Sequence, residues 1–215
     1  ATEIITRELT GKESPVPALE EKVIPYYGVK EAAFPFNMFP EVDPLLGPEM
    51  RSTGEVLGLS ESYGEAFYKA QEAVQSKLPL SGTVLISVNR KDKAEVVEVA
   101  KLFHENNFRI IATEGTCQLI NEAGIPAEKV KKLCEGRPNV LDEITNGKVD
   151  IIVNSPVGKD SVYDDSYLRK AAIKGRIPYC TTMAAAMAAA TGIHAVNNHD
   201  GGKIASLQEL HGRIK

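Results

Sequence analysis

Apolar and polar positions follow two different patterns along this chain, and the more regular pattern begins near residue 82. From there on, short apolar runs typical of buried strands alternate with segments whose apolar residues recur every three or four positions, as in helices. The predicted strands are residues 83–88, 108–112, 130–133, 150–153 and 177–181. The predicted helices are residues 92–103, 115–123, 139–146, 165–174 and 183–191. This repetition predicts an α/β fold, with a Rossmann-like parallel sheet covered by helices on both faces.

The ends of these helices carry recognisable signals. Asp92 and Glu95 have the spacing of a capping box, in which each side chain bonds the backbone N–H of the other end of the turn. Gly124 follows a helical pattern in the position of a left-handed cap, and Gly147 and Gly175 also follow helical segments. These signals predict where the helices begin and end.

The first 80 residues lack this alternation. They are predicted to contain, in order, a helix ending at Gly11, a connection over residues 12–28, an extended piece over residues 29–36, a proline-rich loop through residue 48 and a helix over residues 62–76. The loop is expected to be irregular and packed, because each proline removes a backbone donor and restricts its predecessor. Ser62 and Glu65 supply a second capping-box spacing. The change of pattern predicts two parts, residues 1–80 and 81–215.

The composition is that of an ordinary globular protein, with 43% hydrophobic and 25% charged residues, which excludes fibrous and disordered classes. A formal net charge of −4 and a pI near 5.7 argue against a nucleic-acid or membrane-surface partner. No run reaches the ~18 apolar residues of a membrane span, and no signal-peptide pattern opens the chain. The sequence therefore predicts a cytoplasmic protein in which any anion site is local.

The sequence also lacks the usual metal and nucleophile patterns. Its three cysteines are widely spaced, which predicts reduced thiols and argues against a structural zinc site. The four histidines, which are expected on the surface, have no serine or cysteine partner nearby in sequence: His104, His194, His199 and His211. Because the chain opens without Met inside a helical pattern, we expect it to be a segment of a longer polypeptide.

The ends of the predicted strands carry the candidate chemistry, since ligands of open parallel sheets lie beyond the carboxyl ends of the strands. Thr113-Glu114-Gly115-Thr116 joins a strand to a helix, so hydroxyls, free amides and the helix dipole converge there. Either this turn binds a phosphate, or the threonines simply cap the helix. Lys93 and Lys132 on the same rim favour an anion site.

Asn154 and Ser155 end another apolar strand and leave two interpretations open: contact with a ribose or base, or a turn that satisfies its own backbone. The phosphate-loop motif of ATPases, the glycine-rich motif of dehydrogenases and paired carboxylates at a strand end are all missing from the sequence. The residues alone therefore indicate binding of a small anion rather than catalysis.

Particular segments resemble a known family. Residues 47–56 (Gly-Pro-Glu-Met-Arg-Ser-Thr-Gly-Glu-Val), with Val-Asp-Pro-Leu-Leu before them, resemble the end of the second ATP-grasp half of the carbamoyl phosphate synthetase large chain. The segments that resemble the C-terminal allosteric domain of that enzyme are residues 85–88, 112–116, 135–138, 152–154 and 208–211. The resemblance implies a methylglyoxal-synthase-like fold for residues 81–215, preceded by a short mixed α/β remnant of an ATP-grasp domain.

The resemblance also implies a function. The parent enzyme makes carbamoyl phosphate from bicarbonate and glutamine or ammonia with ATP and Mg, for pyrimidine and arginine synthesis. It implies that the catalytic ATP-grasp residues lie upstream, so that this segment alone holds no catalytic residue, metal or cofactor and is inactive. The implied partners are a nucleotide monophosphate effector such as UMP or IMP, ornithine, the rest of the large chain and the small glutaminase subunit, with homo-oligomerisation of the parent.

The resemblance further implies which residues bind these effectors. Carried over position by position, the nucleotide site comprises Ser87, Lys93, Thr113, Thr116, Lys132, Asn154 and Asp164, with Tyr167 and Leu168 nearby. Pro156 stands where many relatives have a hydroxyl residue, and it cannot donate a hydrogen bond. For ornithine, Glu31 would face the ammonium group and Thr181 would lie near a helix N-terminus that favours the carboxylate. Read singly, Glu31 is an exposed strand residue and Thr181 an N-cap.

Two relatives share this fold. A free-standing methylglyoxal-synthase-type phosphate lyase has a catalytic aspartate at the strand end, where this chain has Asn154-Ser155 and hence no base. IMP cyclohydrolase domains share the threonine-rich turn but would not follow an ATP-grasp end. The regulatory segment is therefore the interpretation that we favour.

Overall fold

A computed structural model describes residues 2–13, 22–39, 46–155, 162–198 and 204–214, with only the backbone at residues 37 and 162–164. The chain forms two compact units, Tyr26–Lys203 and a smaller one made of Ala1–Pro25 and Ile204–Lys215. The smaller unit contains helices α1 (Thr2–Leu9) and α8 (Leu207–Gly212). Ser206 caps α8 by accepting a hydrogen bond from the Glu209 backbone, and Glu209 bonds back to the Ser206 N–H.

The larger unit contains two sheets. Its strands are β1 (Tyr27–Ala33), β2 (Gly54–Ser60), β3 (Gly82–Ser87), β4 (Phe108–Thr113), β5 (Ala127–Val130), β6 (Ile151–Asn154) and β7 (Tyr179–Cys180). Strands β1 and β2 form an antiparallel pair. The other five form one parallel sheet in the order β5-β4-β3-β6-β7. The parallel α/β fold predicted from the alternating pattern is confirmed.

Helices cover both faces of the parallel sheet. They are α2 (Tyr63–Ala73), α3 (Lys93–Glu105), α4 (Glu114–Glu122), α5 (Val140–Thr145), α6 (Val162–Gly175) and α7 (Met183–Asn198), with short 3-10 helices at Pro35–Met38 and Leu133–Glu135. One core cluster joins α3, α4 and α7 to side chains such as Ile86 and Val153, and the other joins α5 and α6 to Leu85 and Ile152. Successive residues of each central strand thus enter opposite clusters, which explains their uninterrupted apolar sequence.

Helix α2 lies between the two-stranded sheet and α7, and glycines allow the close approach. A Cβ on Gly58 of β2 would lie 2.1 Å from the Ala66 carbonyl oxygen of α2. A Cβ on Gly64 of α2 would lie 2.8 Å from the Thr191 carbonyl oxygen of α7. The backbone of α2 is therefore in close contact with the backbone of β2 on one side and of α7 on the other. A residue larger than glycine at position 58 or 64 would require these elements to move apart.

Several predicted element ends differ from those observed. The edge strand β5 begins and ends three residues earlier than predicted, because its Glu128 and Lys129 are exposed and carry no apolar signal. Strand β2 was not predicted. Helix α7 continues to Asn198 rather than residue 191, and α6 begins at Val162 rather than residue 165.

The predicted helix ends also have mixed outcomes. Gly124 and Gly147 adopt left-handed backbone angles, with φ of 80° and 67°, as a glycine at the end of a helix allows. Helix α6 ends at Gly175 as predicted, but the left-handed residue is Arg176, with φ of 54°. The capping box predicted at Asp92 is wrong, since Asp92 makes no side-chain bond to the first turn of α3.

Candidate functional site

The carboxyl ends of the three central strands meet at one edge of the sheet. The chain leaves β3 toward β4 on one side and returns to β6 on the other, so the strand order reverses between β3 and β6. At that point Ser87 is the register partner of Asn154, and the Ser155 N–H donates to the Ser87 carbonyl over 3.1 Å. A crevice at such a reversal is the usual ligand position in open α/β sheets.

The loop after β3 is fixed by Asn89. The Asn89 backbone N–H and side-chain amide both donate to the Ser155 hydroxyl oxygen, over 3.1 Å and 3.2 Å. The Asn89 side-chain oxygen accepts from the Lys91 backbone N–H at 2.7 Å, which closes a tight turn before α3. The Ser155 hydroxyl oxygen thus accepts hydrogen bonds from the loop after β3, which differs from the turn satisfying its own backbone that the sequence left open.

The N-terminal turn of α4 faces the same edge. Thr113 precedes the helix but does not cap it, because its hydroxyl lies 3.4 Å from the Ser87 hydroxyl instead. The first backbone N–H groups of a helix have no partner within it, and here no side chain of the described residues caps them. This turn has the donors and the dipole that favour an anion.

Lys93 brings a positive charge to this turn. Its ammonium group donates to the Gly115 carbonyl oxygen over 3.1 Å, and a Cβ on Gly115 would lie only 3.0 Å from that nitrogen. The absence of a side chain at Gly115 therefore lets the lysine lie against the helix. The neighbouring Glu114 carboxylate pairs with Lys129, which lowers the pKa of Glu114 and offsets its negative charge.

The other residues assigned to the nucleotide site lie at different depths. Thr116 is buried in the first turn of α4, while Lys132 lies exposed beyond the end of β5. Tyr167 is 60% exposed on α6, whereas Leu168 is buried in the core cluster of that face. The side chain of Asp164, like Pro156, lies outside the described residues. The structure thus brings Ser87, Thr113 and Asn154 together, and the ligand roles of the whole set stay predictions.

Asn154 belongs to a buried hydrogen-bond network that the sequence did not reveal. Its side-chain nitrogen lies 2.8 Å from an Asp165 carboxylate oxygen and 2.6 Å from the Tyr179 hydroxyl. Burial raises the pKa of Tyr179 to about 12, so the hydroxyl stays protonated at neutral pH. Asp165 and Tyr179 are 11 and 25 residues from Asn154, and no local spacing links them.

The two residues assigned to ornithine lie together in a pocket of the same unit. A pocket of ≈ 340 Å³ is lined by Glu31 and Thr181 together with Gln71, Tyr179 and two aromatic rings, Phe34 and Phe36. The Gln71 amide donates to Glu31 over 3.1 Å, and partial burial raises the pKa of Glu31. The pocket therefore combines an acidic and a basic side chain, Glu31 and Arg169, with partly apolar walls, as ligand pockets commonly do.

Thr181 does not cap α7. The Thr182 hydroxyl accepts from the Ala185 N–H over 3.1 Å, so the capping residue is Thr182, and the N-cap interpretation of Thr181 is wrong. Thr181 is exposed and lines the pocket immediately before the helix begins.

The histidines within the described residues lie on the surface, as the sequence predicts. His104, His194 and His211 are exposed, and His199 lies outside the described residues. Cys117, Cys134 and Cys180 are free thiols. Within the described ranges, no group of three or more histidine, cysteine, aspartate or glutamate side chains could hold a metal ion. None of the described helices is both long and apolar enough to cross a bilayer.

Comparisons with known proteins bear on the sheet and on the whole chain. The profile of the MGS-like domain family matches residues 95–181. The chain is 48% identical over 192 residues to the carbamoyl phosphate synthase large chain of Gemmatimonas aurantiaca, and 51% identical over 170 residues to that of Acidobacterium capsulatum. These matches cover 89% and 79% of this chain but only 18% and 16% of the relatives.

Separate C-terminal sections of the same large chain also match. The carbamoyl phosphate synthase large chain, C-terminal section, of Methanocaldococcus jannaschii is 47% identical over 191 residues, which is 88% of this chain and 31% of that protein. A solved methylglyoxal synthase from Elizabethkingia anophelis shares 18% identity over 50% of this chain and 75% of its own, with a TM-score of 0.41. The sequence matches and the parallel sheet confirm the resemblance: the chain is homologous to the C-terminal section of the carbamoyl phosphate synthase large chain and contains an MGS-like domain.

Proposed function

We propose that this chain is the effector-binding segment of a carbamoyl phosphate synthase large chain and that it binds a nucleotide monophosphate, such as UMP or IMP, at the carboxyl ends of β3, β4 and β6. One observation supports this most directly. The Lys93 ammonium lies against the uncapped first turn of α4, beside the point where the strand order reverses. Charge, free amides and position all favour a phosphate group there.

The proposed ligand lies with its phosphate at Lys93 and the first turn of α4. Ser87 and Thr113 supply hydroxyls at the strand ends, and Thr116 lies in the same turn. Asn154 would then face the ribose or the base, since it ends the strand on the other side of β3. Lys132 adds a further positive charge beyond β5.

We propose in addition that ornithine binds in the pocket lined by Glu31 and Thr181. The acidic side chain would attract the ligand's ammonium groups, while the start of α7 favours its carboxylate. This proposal is supported by the common pocket, because the two residues are 150 positions apart in the sequence and yet line the same pocket.

The full-length large chain, and not this segment alone, would catalyse the formation of carbamoyl phosphate. We propose that residues 1–80 belong to the end of its ATP-grasp half and residues 81–215 to its regulatory domain. In the cytoplasm, the full large chain would use ATP and Mg, act with a small glutaminase subunit, assemble into oligomers and supply carbamoyl phosphate to pyrimidine and arginine synthesis. This chain covers less than a fifth of the full-length relatives compared above.

The test is calorimetric titration of the chain with UMP, IMP and ornithine, each in a separate experiment. Saturable binding of either nucleotide with competition by inorganic phosphate is expected, because the phosphate contacts form the charged part of the site. Absence of binding by both nucleotides would refute the nucleotide site. Turnover of dihydroxyacetone phosphate by the purified chain would instead indicate the lyase, which requires a base where this chain has Asn154.

A further inference from the structure

The amide group of Asn154 is held in a single orientation by two neighbours. Its nitrogen lies 2.8 Å from the Asp165 carboxylate and 2.6 Å from the Tyr179 hydroxyl. An ionised carboxylate only accepts hydrogen bonds, so the nitrogen of the amide, and not its oxygen, must face Asp165. Asn154 and Asp165 are each 5% exposed, so water competes little for these bonds.

Both N–H donors of the amide are used by this arrangement. A side-chain amide has two donor hydrogens and one acceptor oxygen, and Asp165 and Tyr179 take the two hydrogens. No donor from the described residues bonds the Asn154 oxygen. Asn154 therefore presents an acceptor, at the end of β6 and across from Ser87 of β3.

We propose that Asp165 and Tyr179 are positioning residues that make Asn154 a hydrogen-bond acceptor toward the ligand. The site would then select a phosphorylated ligand that also carries a donor, such as a ribose hydroxyl or a ring N–H, over inorganic phosphate. A second anionic group facing the Asn154 oxygen would find no donor, whereas a hydroxyl or N–H satisfies it. This inference rests on the proposed nucleotide site. It assigns Asn154 as the residue of that site that recognises the ribose or base of the ligand.

Substitutions separate this role from folding. Asp165→Asn keeps the size of the side chain but can donate as well as accept, so the Asn154 amide is no longer forced into one orientation. Tyr179→Phe removes one acceptor and leaves Asp165 in place. Glu98→Gln makes the same change from carboxylate to amide at an exposed position of α3 and serves as the control.

The experiment compares two ligands, UMP and inorganic phosphate, by titration against each variant. We expect Asp165→Asn to weaken UMP binding at least about tenfold while phosphate affinity stays within about twofold, and Tyr179→Phe to show a smaller change of the same kind. Glu98→Gln should change neither. If Asp165→Asn weakens both ligands in the same proportion, Asp165 is merely structural and the inference is wrong.

A measurement without ligand tests the positioning by itself. In NMR spectra of the free protein, the side-chain amide protons of Asn154 should exchange with solvent at least about 100-fold more slowly than those of the exposed Asn107, and faster in Asp165→Asn. Equal exchange in the wild type would overturn the inference even if UMP binds well. Slow exchange with no UMP binding would refute the proposed nucleotide site and, with it, the selectivity.

Discussion

Replacing Lys93 with alanine tests the proposed phosphate position most directly. The ammonium lies 3.1 Å from the Gly115 carbonyl oxygen, at the first turn of α4, so a phosphate seated on the free amides of that turn would lie within reach of its charge. At an effective dielectric constant of about 20, two unit charges about 4 Å apart interact by about 4 kcal/mol before desolvation and screening.

The net contribution is smaller than that figure. Lys93 is half-buried, and a hydrogen bond to a charged group typically contributes about 1.5–3 kcal/mol. Allowing for solvent screening, we expect Lys93→Ala to weaken nucleotide binding by about 1–3 kcal/mol, which is about 5- to 150-fold in Kd. The unfolding temperature of the free protein should change little, because Lys93 makes a single, solvent-accessible hydrogen bond to the part of the chain that the structure describes.

The matched control is Lys101→Ala. Lys101 lies on the same helix and is exposed, and among the described residues it makes only a long ion pair with Glu105 at 3.9 Å, so the substitution removes the same charge away from the site. Calorimetric titration with UMP at two salt concentrations should show a large loss for Lys93→Ala with a reduced salt dependence, and less than about twofold for Lys101→Ala. Equal, small losses in both variants would refute the phosphate position.

Substitutions at Thr116, Glu31 and Gly64 give three further tests. Thr116→Ala should weaken nucleotide binding by about 1–3 kcal/mol in the same titration, and unchanged binding would remove Thr116 from the site. Glu31→Gln should raise the unfolding temperature at pH 7, because burial raises the pKa of Glu31 and the charged carboxylate is destabilising above that pKa. The gain in unfolding temperature should disappear below pH 4.5, the ordinary pKa of a glutamate, where the carboxyl group is protonated in both the folded and the unfolded state. A gain that persists below pH 4.5 would show that the charge of Glu31 is not its cause. Gly64→Ala should destabilise the protein by about 1–3 kcal/mol, because its Cβ would lie 2.8 Å from the Thr191 carbonyl oxygen, whereas Gly54→Ala meets no atom within 4 Å and should change the unfolding temperature little.

The buried strands were predictable because burial on both faces leaves a local signal. Strands β3, β4 and β6 each begin and end within one residue of the predicted bounds, since each contains three consecutive buried apolar residues. Strand β2 gave no such signal. The residues of β2 that are buried are small, Gly58 and Ser60, and they allow α2 to approach, so the buried side of this strand carries little apolar signal.

The candidate site was also predictable only in part. The convergence of the strand ends follows from the parallel alternation, and the residues at those ends could be named from the sequence. The orientation of Asn154 could not, because it depends on Asp165 in a helix and Tyr179 in a later strand. The cap of α7 is a different case, because the Thr182 hydroxyl accepts from the Ala185 N–H only three residues away, and local spacing did not decide between the adjacent Thr181 and Thr182. The orientation of Asn154, in contrast, depends on contacts formed only after the chain has folded.

Strand β7 gives the two proposed sites a physical connection. It pairs with β6 so that Ile152 lies opposite Tyr179, and the Tyr179 hydroxyl bonds Asn154, the last residue of β6. The same tyrosine lines the pocket that contains Glu31. A ligand that moves the tyrosine ring in the pocket would therefore change a hydrogen bond of Asn154, and a ligand at Asn154 would change the tyrosine. Coupling through a shared group is reciprocal, so ornithine and nucleotide should alter each other's affinity by the same factor.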